Sequence, residues 1–147
     1  MIGLDTNVLV RFLAQDDVKQ AAVATRLIEK ELTASRQGFI SLVVLSELCW
    51  VLSSIYSATA EELITTVQDL LNTPQFQVER REAVQTALAK LKTSRTRNAV
   101  FVDALIAAIA ESAGCTETVT FDKGAVPDAG RTLLVRAASP CISEVVP

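Results

Sequence analysis

Short apolar runs alternate along this chain with longer stretches in which apolar residues recur every three or four positions. The first pattern suits strands buried in a sheet, the second the inner face of helices. Residues 2–4 form an apolar stub ending at Asp5, after which Val8, Leu9, Phe12 and Leu13 follow helical spacing, so a strand is expected to step directly into a helix. Asp16 and Asp17 offer an N-cap for a helix over 18–35, with Ala22, Leu27, Ile28 and Leu32 inward and Gly38 closing the segment. Residues 39–41 read as a second strand, and Ser41 as the cap of a strongly apolar helix over 42–56. An amphipathic helix over 60–71 follows, broken by Thr73 and Pro74. Residues 76–79 alternate like a strand, and 82–92 return to helical spacing through Val84, Leu88 and Leu91. A helix over 100–112 is stopped by Gly114, and 118–121 form a β-rich strand running into Asp122, with 133–135 as a last strand.

Strands that alternate with helices predict a mostly parallel central sheet flanked by helices, hence an α/β fold. No repeat, linker or low-complexity segment divides the 147 residues, which are enough for one core without disulfide or metal staples, so a single domain over 1–147 is expected. Hydrophobic residues make up 50% of the chain and charged ones 21%, which excludes a disordered chain. The weakly charged stretch 38–60 carries Glu47 at its middle, where a carboxylate costs about 2.5–3.5 kcal/mol on membrane insertion. No membrane span is expected. The N-terminal residues lack the basic start and clean apolar run of a secretion signal, so a cytoplasmic protein is expected.

Three cysteines, Cys49, Cys115 and Cys141, are an odd number at wide spacing in apolar contexts and read as reduced core thiols. The chain has no histidine. That removes Ser-His-Asp hydrolysis, Cys-His proteolysis and nearly every zinc site together. Chemistry must come from carboxylates, hydroxyls, amides and cations. Asp5, Glu47 and Asp103 are each the only charged residue in a long stretch, 1–10, 37–60 and 98–110 respectively, and Asp122 follows Val-Thr-Phe directly. A carboxylate in a core-building stretch requires a cation or strong hydrogen bonds. In an open α/β sheet the carboxyl ends of the strands line the ligand crevice, and Asp5 and Asp122 are expected at such ends. Singly, each acid reads as a cap, a salt bridge or part of a wet face. Together, without Cys or His, they suit a hard divalent cation, Mg²⁺ or Mn²⁺. Such an ion activates water and offsets charge on a phosphoryl oxygen, which makes a phosphodiester the best-fitting substrate.

Leu4-Asp5-Thr6-Asn7-Val8-Leu9-Val10, then Ser46-Glu47, then Val102-Asp103-Ala104-Leu105-Ile106-Ala107, then Thr118-Val119-Thr120-Phe121-Asp122 together resemble the PIN-domain ribonucleases, and within them the VapC-like toxins of bacterial toxin–antitoxin pairs. The resemblance covers nearly the whole chain. It implies a PIN-like fold and an endoribonuclease with an acidic Mg²⁺ or Mn²⁺ site, usually dimeric and inhibited by a cognate antitoxin. Carried over by position, Asp5, Glu47, Asp103 and Asp122 match the family's acids. Asp5, Asp103 and Asp122 are the expected metal ligands, and Glu47 either ligates or positions water. Thr6, Asn7 and Thr120 match the family's polar positions; the plainer reading makes Thr6 and Asn7 helix caps and Thr120 a strand former. One position departs from the pattern. Many relatives carry a further acid three residues before Asp103, where this chain has Val100, and nearby Asn98 lacks the charge to replace it. A single firmly held ion, with a second held weakly or only with RNA bound, follows from that departure.

Two other readings compete. Asp5-Thr6-Asn7 is similar to the opening motif of haloacid-dehalogenase-like phosphatases, but Asn7 stands where that family has its general acid; a receiver-like phosphoacceptor domain lacks its acidic pair here. A catalytically silent interaction module on the same scaffold would dock partners through the apolar helix over 42–56. Leu45, Leu48, Val51, Leu52 and Ile55 read mainly as core, while Trp50 could anchor an interface with a second copy or an antitoxin.

The formal charge of −3 hides a segregation, because residues 80–97 hold six basic residues and Glu82 alone, while the rest has eight basic and sixteen acidic. Lys90, Lys92, Arg95 and Arg97 precede the helix bearing Asp103, and Arg11 stands near Asp5. These five are the expected RNA contacts.

Overall fold

A computed structural model of the chain describes residues 1–92, 101–123 and 132–134. Strands β1 (Ile2–Gly3), β2 (Gly38–Ile40) and β3 (Phe76–Val78) form a parallel sheet in that order, with Ile2 opposite Gly38 and Gly38 opposite Phe76. Helices α1 (Thr6–Ala14) and α2 (Val18–Arg26) lie between β1 and β2 in sequence, and α3 (Leu42–Ser54) and α4 (Ala60–Asn72) between β2 and β3. Helices α5 (Arg81–Lys92) and α6 (Phe101–Ser112) follow, packed along each other. β4 (Val119–Thr120) and β5 (Thr132–Leu133) make a separate parallel pair. The strand-helix alternation read from the sequence is thus present, and the fold is α/β with a parallel sheet flanked by helices.

Leu9, Ile40, Leu45, Leu48, Val84, Phe101 and Leu105 form the innermost layer between sheet and helices. Helix starts are set by side-chain acceptors that satisfy otherwise orphaned N–H groups. Asp17, not Asp16, accepts from the Gln20 N–H at the start of α2. Ser41 accepts from the Val44 N–H at the start of α3. Thr59 and Glu62 form a reciprocal capping box on α4.

Several boundaries differ from the expectation. The helix expected over 18–35 ends as α2 at Arg26, widens into a π-helical turn over Leu27–Glu31 and becomes extended at Leu32. Thr33 and Arg36 then pair across a tight antiparallel turn. Gly38 opens β2 instead of closing the helix; a Cβ there would stand 2.6 Å from Cδ1 of Leu4 and 2.8 Å from Cδ1 of Leu32. Glycine permits the core leucines to lie against the strand backbone. Cys49 is buried, and loss of water pushes its thiol pKa up to about 12. Cys115 is exposed, beyond the Gly114 turn at the end of α6, so the core-thiol reading fails for it; Cys141 lies outside the described residues. Trp50 and Ile55 are also exposed, leaving Leu45, Leu48 and Leu52 as the buried face of α3.

Candidate active site

The first acid sits where strand becomes helix. Leu4 N–H donates to the Phe39 carbonyl as the ladder between β1 and β2 ends. Asp5 is the N-cap of α1, and its Oδ1 accepts from the Thr6 N–H at 2.8 Å. Thr6 is only 5% exposed, the one polar residue buried with the core among the described residues. Its hydroxyl donates to Oε2 of Glu47 at 2.6 Å, joining α1 to α3 across 41 positions of sequence. A buried hydroxyl without a partner is costly, so this bond both satisfies Thr6 and orients the Glu47 carboxylate. Sequence reading selected both residues but had no means of pairing them.

Glu79, which sequence reading passed over, supports the same assembly. It follows β3, and its Oε2 accepts from the Leu42 N–H at 2.7 Å, fixing the first turn of the helix that carries Glu47. Helix α3, which bears Glu47, also packs against α1, which Asp5 caps, and against α6, which bears Asp103. Asp103 is half-buried in the first described turn of α6, and Asp122 is exposed just after β4. Asp122 N–H donates to the Thr120 hydroxyl at 3.1 Å, so Thr120 shapes the turn that presents Asp122. Asn7 is exposed on the first turn of α1. None of the four acids is in the deep core: Asp5, Glu47 and Asp122 are solvent-exposed. The desolvation argument that singled them out is therefore met by placing them at the rim.

Among the described residues no three Cys, Asp or Glu side chains stand close enough together to hold one metal ion. Asp5 is turned to its helix cap and Glu47 to Thr6. The side chains of the four acids offer only oxygen donors, the kind that suits a hard cation.

The expected RNA-contact residues have varied surroundings. Arg11 donates from Nη1 to Asp16 at 3.0 Å and from Nε to Gln20 at 2.7 Å. The hydrogen bond with Asp16 holds the Arg11 pKa above its usual value. The Asp16 pKa lies below the ordinary carboxylate value, chiefly because the Tyr56 hydroxyl donates to it at 2.5 Å and then because of Arg11, with partial burial opposing. The same bond raises the Tyr56 pKa. Lys90 pairs with Glu111 of α6 at 2.7 Å and lowers the Glu111 pKa. Lys92 is exposed at the end of α5, and Arg95 and Arg97 lie outside the described residues.

A parallel sheet flanked by helices, with acids where β1 meets α1, on α3, on α6 and after β4, defines an α/β protein. Residues 2–128 match the PIN domain, and the chain belongs to that family. It is 28% identical to a VapC ribonuclease of Aquifex aeolicus (strain VF5) over 120 residues, 82% of this chain and 86% of the relative.

Proposed function

We propose that this protein is an endoribonuclease that hydrolyses RNA phosphodiester bonds with Mg²⁺ or Mn²⁺, and that it is the toxin of a toxin–antitoxin pair. The likeness to a VapC ribonuclease over most of both chains carries the reading, and the Thr6–Glu47 bond beside Asp5 supports it from the geometry. Asp5, Asp103 and Asp122 would hold the cation, with Glu47 either joining them or positioning the attacking water. When bound, the ion lowers the pKa of water and offsets charge on the phosphoryl oxygens. Asp5 also keeps the start of α1 in place through its bond from the Thr6 N–H. Thr6 fixes which face of the Glu47 carboxylate is open, because one oxygen is occupied by the hydroxyl.

The family resemblance further supports a homodimer, an inhibitory antitoxin and a cytoplasmic setting. Val43 and Trp50 on α3 and Ile55 at its C-cap are 76%, 62% and 64% exposed, apolar area suited to a protein partner. No helix among the described residues is long and apolar enough to cross a membrane. The test is cleavage of cellular RNA in Mg²⁺ or Mn²⁺ with mapping of the new ends. Cleavage leaving 5′-phosphate and 3′-hydroxyl ends, abolished by EDTA, is expected. Activity surviving EDTA, or 2′,3′-cyclic phosphate ends, would overturn the mechanism.

A further inference from the structure

Glu79 holds the junction between β2 and α3 at two points. Its N–H donates to the Ile40 carbonyl at 2.9 Å and its Oε2 accepts from the Leu42 N–H at 2.7 Å, so one residue grips the chain on both sides of Ser41. We infer that Glu79 is a positioning residue for RNA cleavage: its carboxylate fixes the start of α3 against the sheet and thereby the place of Glu47. The inference rests on the ribonuclease reading and deepens it.

Helix-end chemistry gives Glu79 a task that Ser41 cannot perform. The first N–H groups of a helix have no partner within it. In α3 the Val44 N–H is taken by the Ser41 hydroxyl and the Leu42 N–H by Glu79. Ser41 is the helix's own cap, so it satisfies a donor without bonding α3 to another strand. Glu79 comes from the end of β3, 37 positions away from Leu42, and supplies that bond. A carboxylate at a helix N-terminus also meets the positive end of the helix dipole. The anchor is itself held. Val78 before it is buried in the core. Arg80 after it has a left-handed backbone, φ 46°, that turns the chain into α5. Its Nη2 donates to the Ser112 hydroxyl at 2.6 Å, and Arg81 donates to the Leu71 carbonyl, so this corner is bonded to the last turns of α6 and α4. Glu47 lies five residues beyond Leu42, about 7.5 Å along the helix axis. Thr6 grips its carboxylate and Glu79 sets the helix that carries it. Without Glu79, α3 keeps its cap and its buried face but is free to tilt at its start, and misplacing a reacting group by about 1 Å can cost up to about a hundredfold in rate.

The test compares the full-length wild type with Glu79→Ala, Glu79→Asp, Glu79→Gln and Thr59→Ala, the last removing a cap from α4, which bears none of the four acids. Melting in EDTA, amide spectra of the metal-free chain, and kcat and KM for a labelled RNA in Mg²⁺ are measured. Glu79→Ala should lower kcat about fivefold and leave KM within about twofold, as expected of an interaction that counts only in the transition state. It should also shift the Thr6 and Glu47 amides. Glu79→Asp, which keeps the charge and spares the fold, should give a smaller fall in kcat of the same kind, and Glu79→Gln, whose amide oxygen still accepts from Leu42, should restore kcat and both amides. Thr59→Ala should melt about as low as Glu79→Ala with kcat and those amides unchanged. Thr6→Val combined with Glu79→Ala should lose less than the product of the two single losses, because both act through Glu47. Unchanged kcat in both Glu79→Ala and Glu79→Asp, an equal fall in Thr59→Ala, or fully multiplicative losses in the double variant would overturn the inference while leaving wild-type cleavage, and so the ribonuclease reading, intact. A wild type that cleaves no RNA with either metal overturns both.

Discussion

The acids at the two ends of the chain are held in different ways. Asp5 and Glu47 are tied into the fold: one caps a helix directly after a sheet strand, the other is gripped by a hydroxyl that is itself part of the core. Asp103 stands half-buried on α6, and Asp122 follows a two-residue strand in a turn closed by its own N–H on the Thr120 hydroxyl. The first pair is oriented before any ligand arrives.

The largest expected effect comes from Asp5→Asn, because an amide oxygen still caps α1 while the charge disappears. RNA cleavage should fall by about a hundredfold or more with an unchanged circular dichroism spectrum; near-normal turnover would reduce Asp5 to a cap. Thr6→Val comes next. A hydrogen bond to a charged group contributes about 1.5–3 kcal/mol, and since Glu47 is exposed to screening water the lower end applies, a loss of roughly tenfold in kcat. Thr6→Ser should recover it, and Thr120→Val should cost less than Thr6→Val. Equal losses at the two threonines would erase the contrast between the pairs.

A smaller effect separates ion binding from folding. Asp103→Asn should melt no lower than wild type in EDTA, since like charges near one another raise each other's energy. It should forfeit most of the Mg²⁺-induced rise, which for wild type at a hundredfold excess over Kd amounts to about 5–10 °C. A large loss in EDTA would mark Asp103 as a structural partner.

The smallest effect lies at Asp16 and Tyr56, away from both pairs. The Asp16 pKa is lowered on folding, so its contribution to stability is present above the ordinary value of 3.8 and is lost as pH falls through the lowered one. The Tyr56 pKa is raised, so its contribution is present below about 10 and is lost as pH rises through the raised value. Tyr56→Phe should move the Asp16 titration, followed by carboxyl chemical shifts, back toward 3.8 and leave RNA cleavage unchanged. An unmoved titration would mean that Arg11 alone holds Asp16.

Much of this was legible in the chain because each piece is a local pattern. Apolar spacing around Leu9, Leu45 and Leu105 predicted the helices, and the isolated charges at 5, 47 and 103 marked those acids as candidates. What stayed hidden depends on partners far away in sequence. Leu27, Ile28 and Leu32 continue helical spacing, yet the backbone widens and turns there to deliver Gly38 to the sheet. Cys115 has apolar surroundings in sequence but lies exposed past the end of α6. The bond from Thr6 to Glu47 spans 41 positions, and no periodicity encodes it. Local charge also overstated the free cations, since Lys90 spends its charge on Glu111.

The register of the sheet sets when the protein can work. Ile2 waits for Gly38, and Gly38 for Phe76, so the middle strand has no second neighbour until more than half the chain exists. Pairings so distant in sequence make folding slow relative to a bundle of local helices. On a ribosome adding roughly 5–20 residues per second, Thr6 is made seconds before Glu47 and longer still before Glu79 can fix the first turn of α3. The nascent chain therefore emerges with Thr6 and Glu47 unbonded, and Asp122, the last acid of the proposed site, is added only once most of the polypeptide has been made.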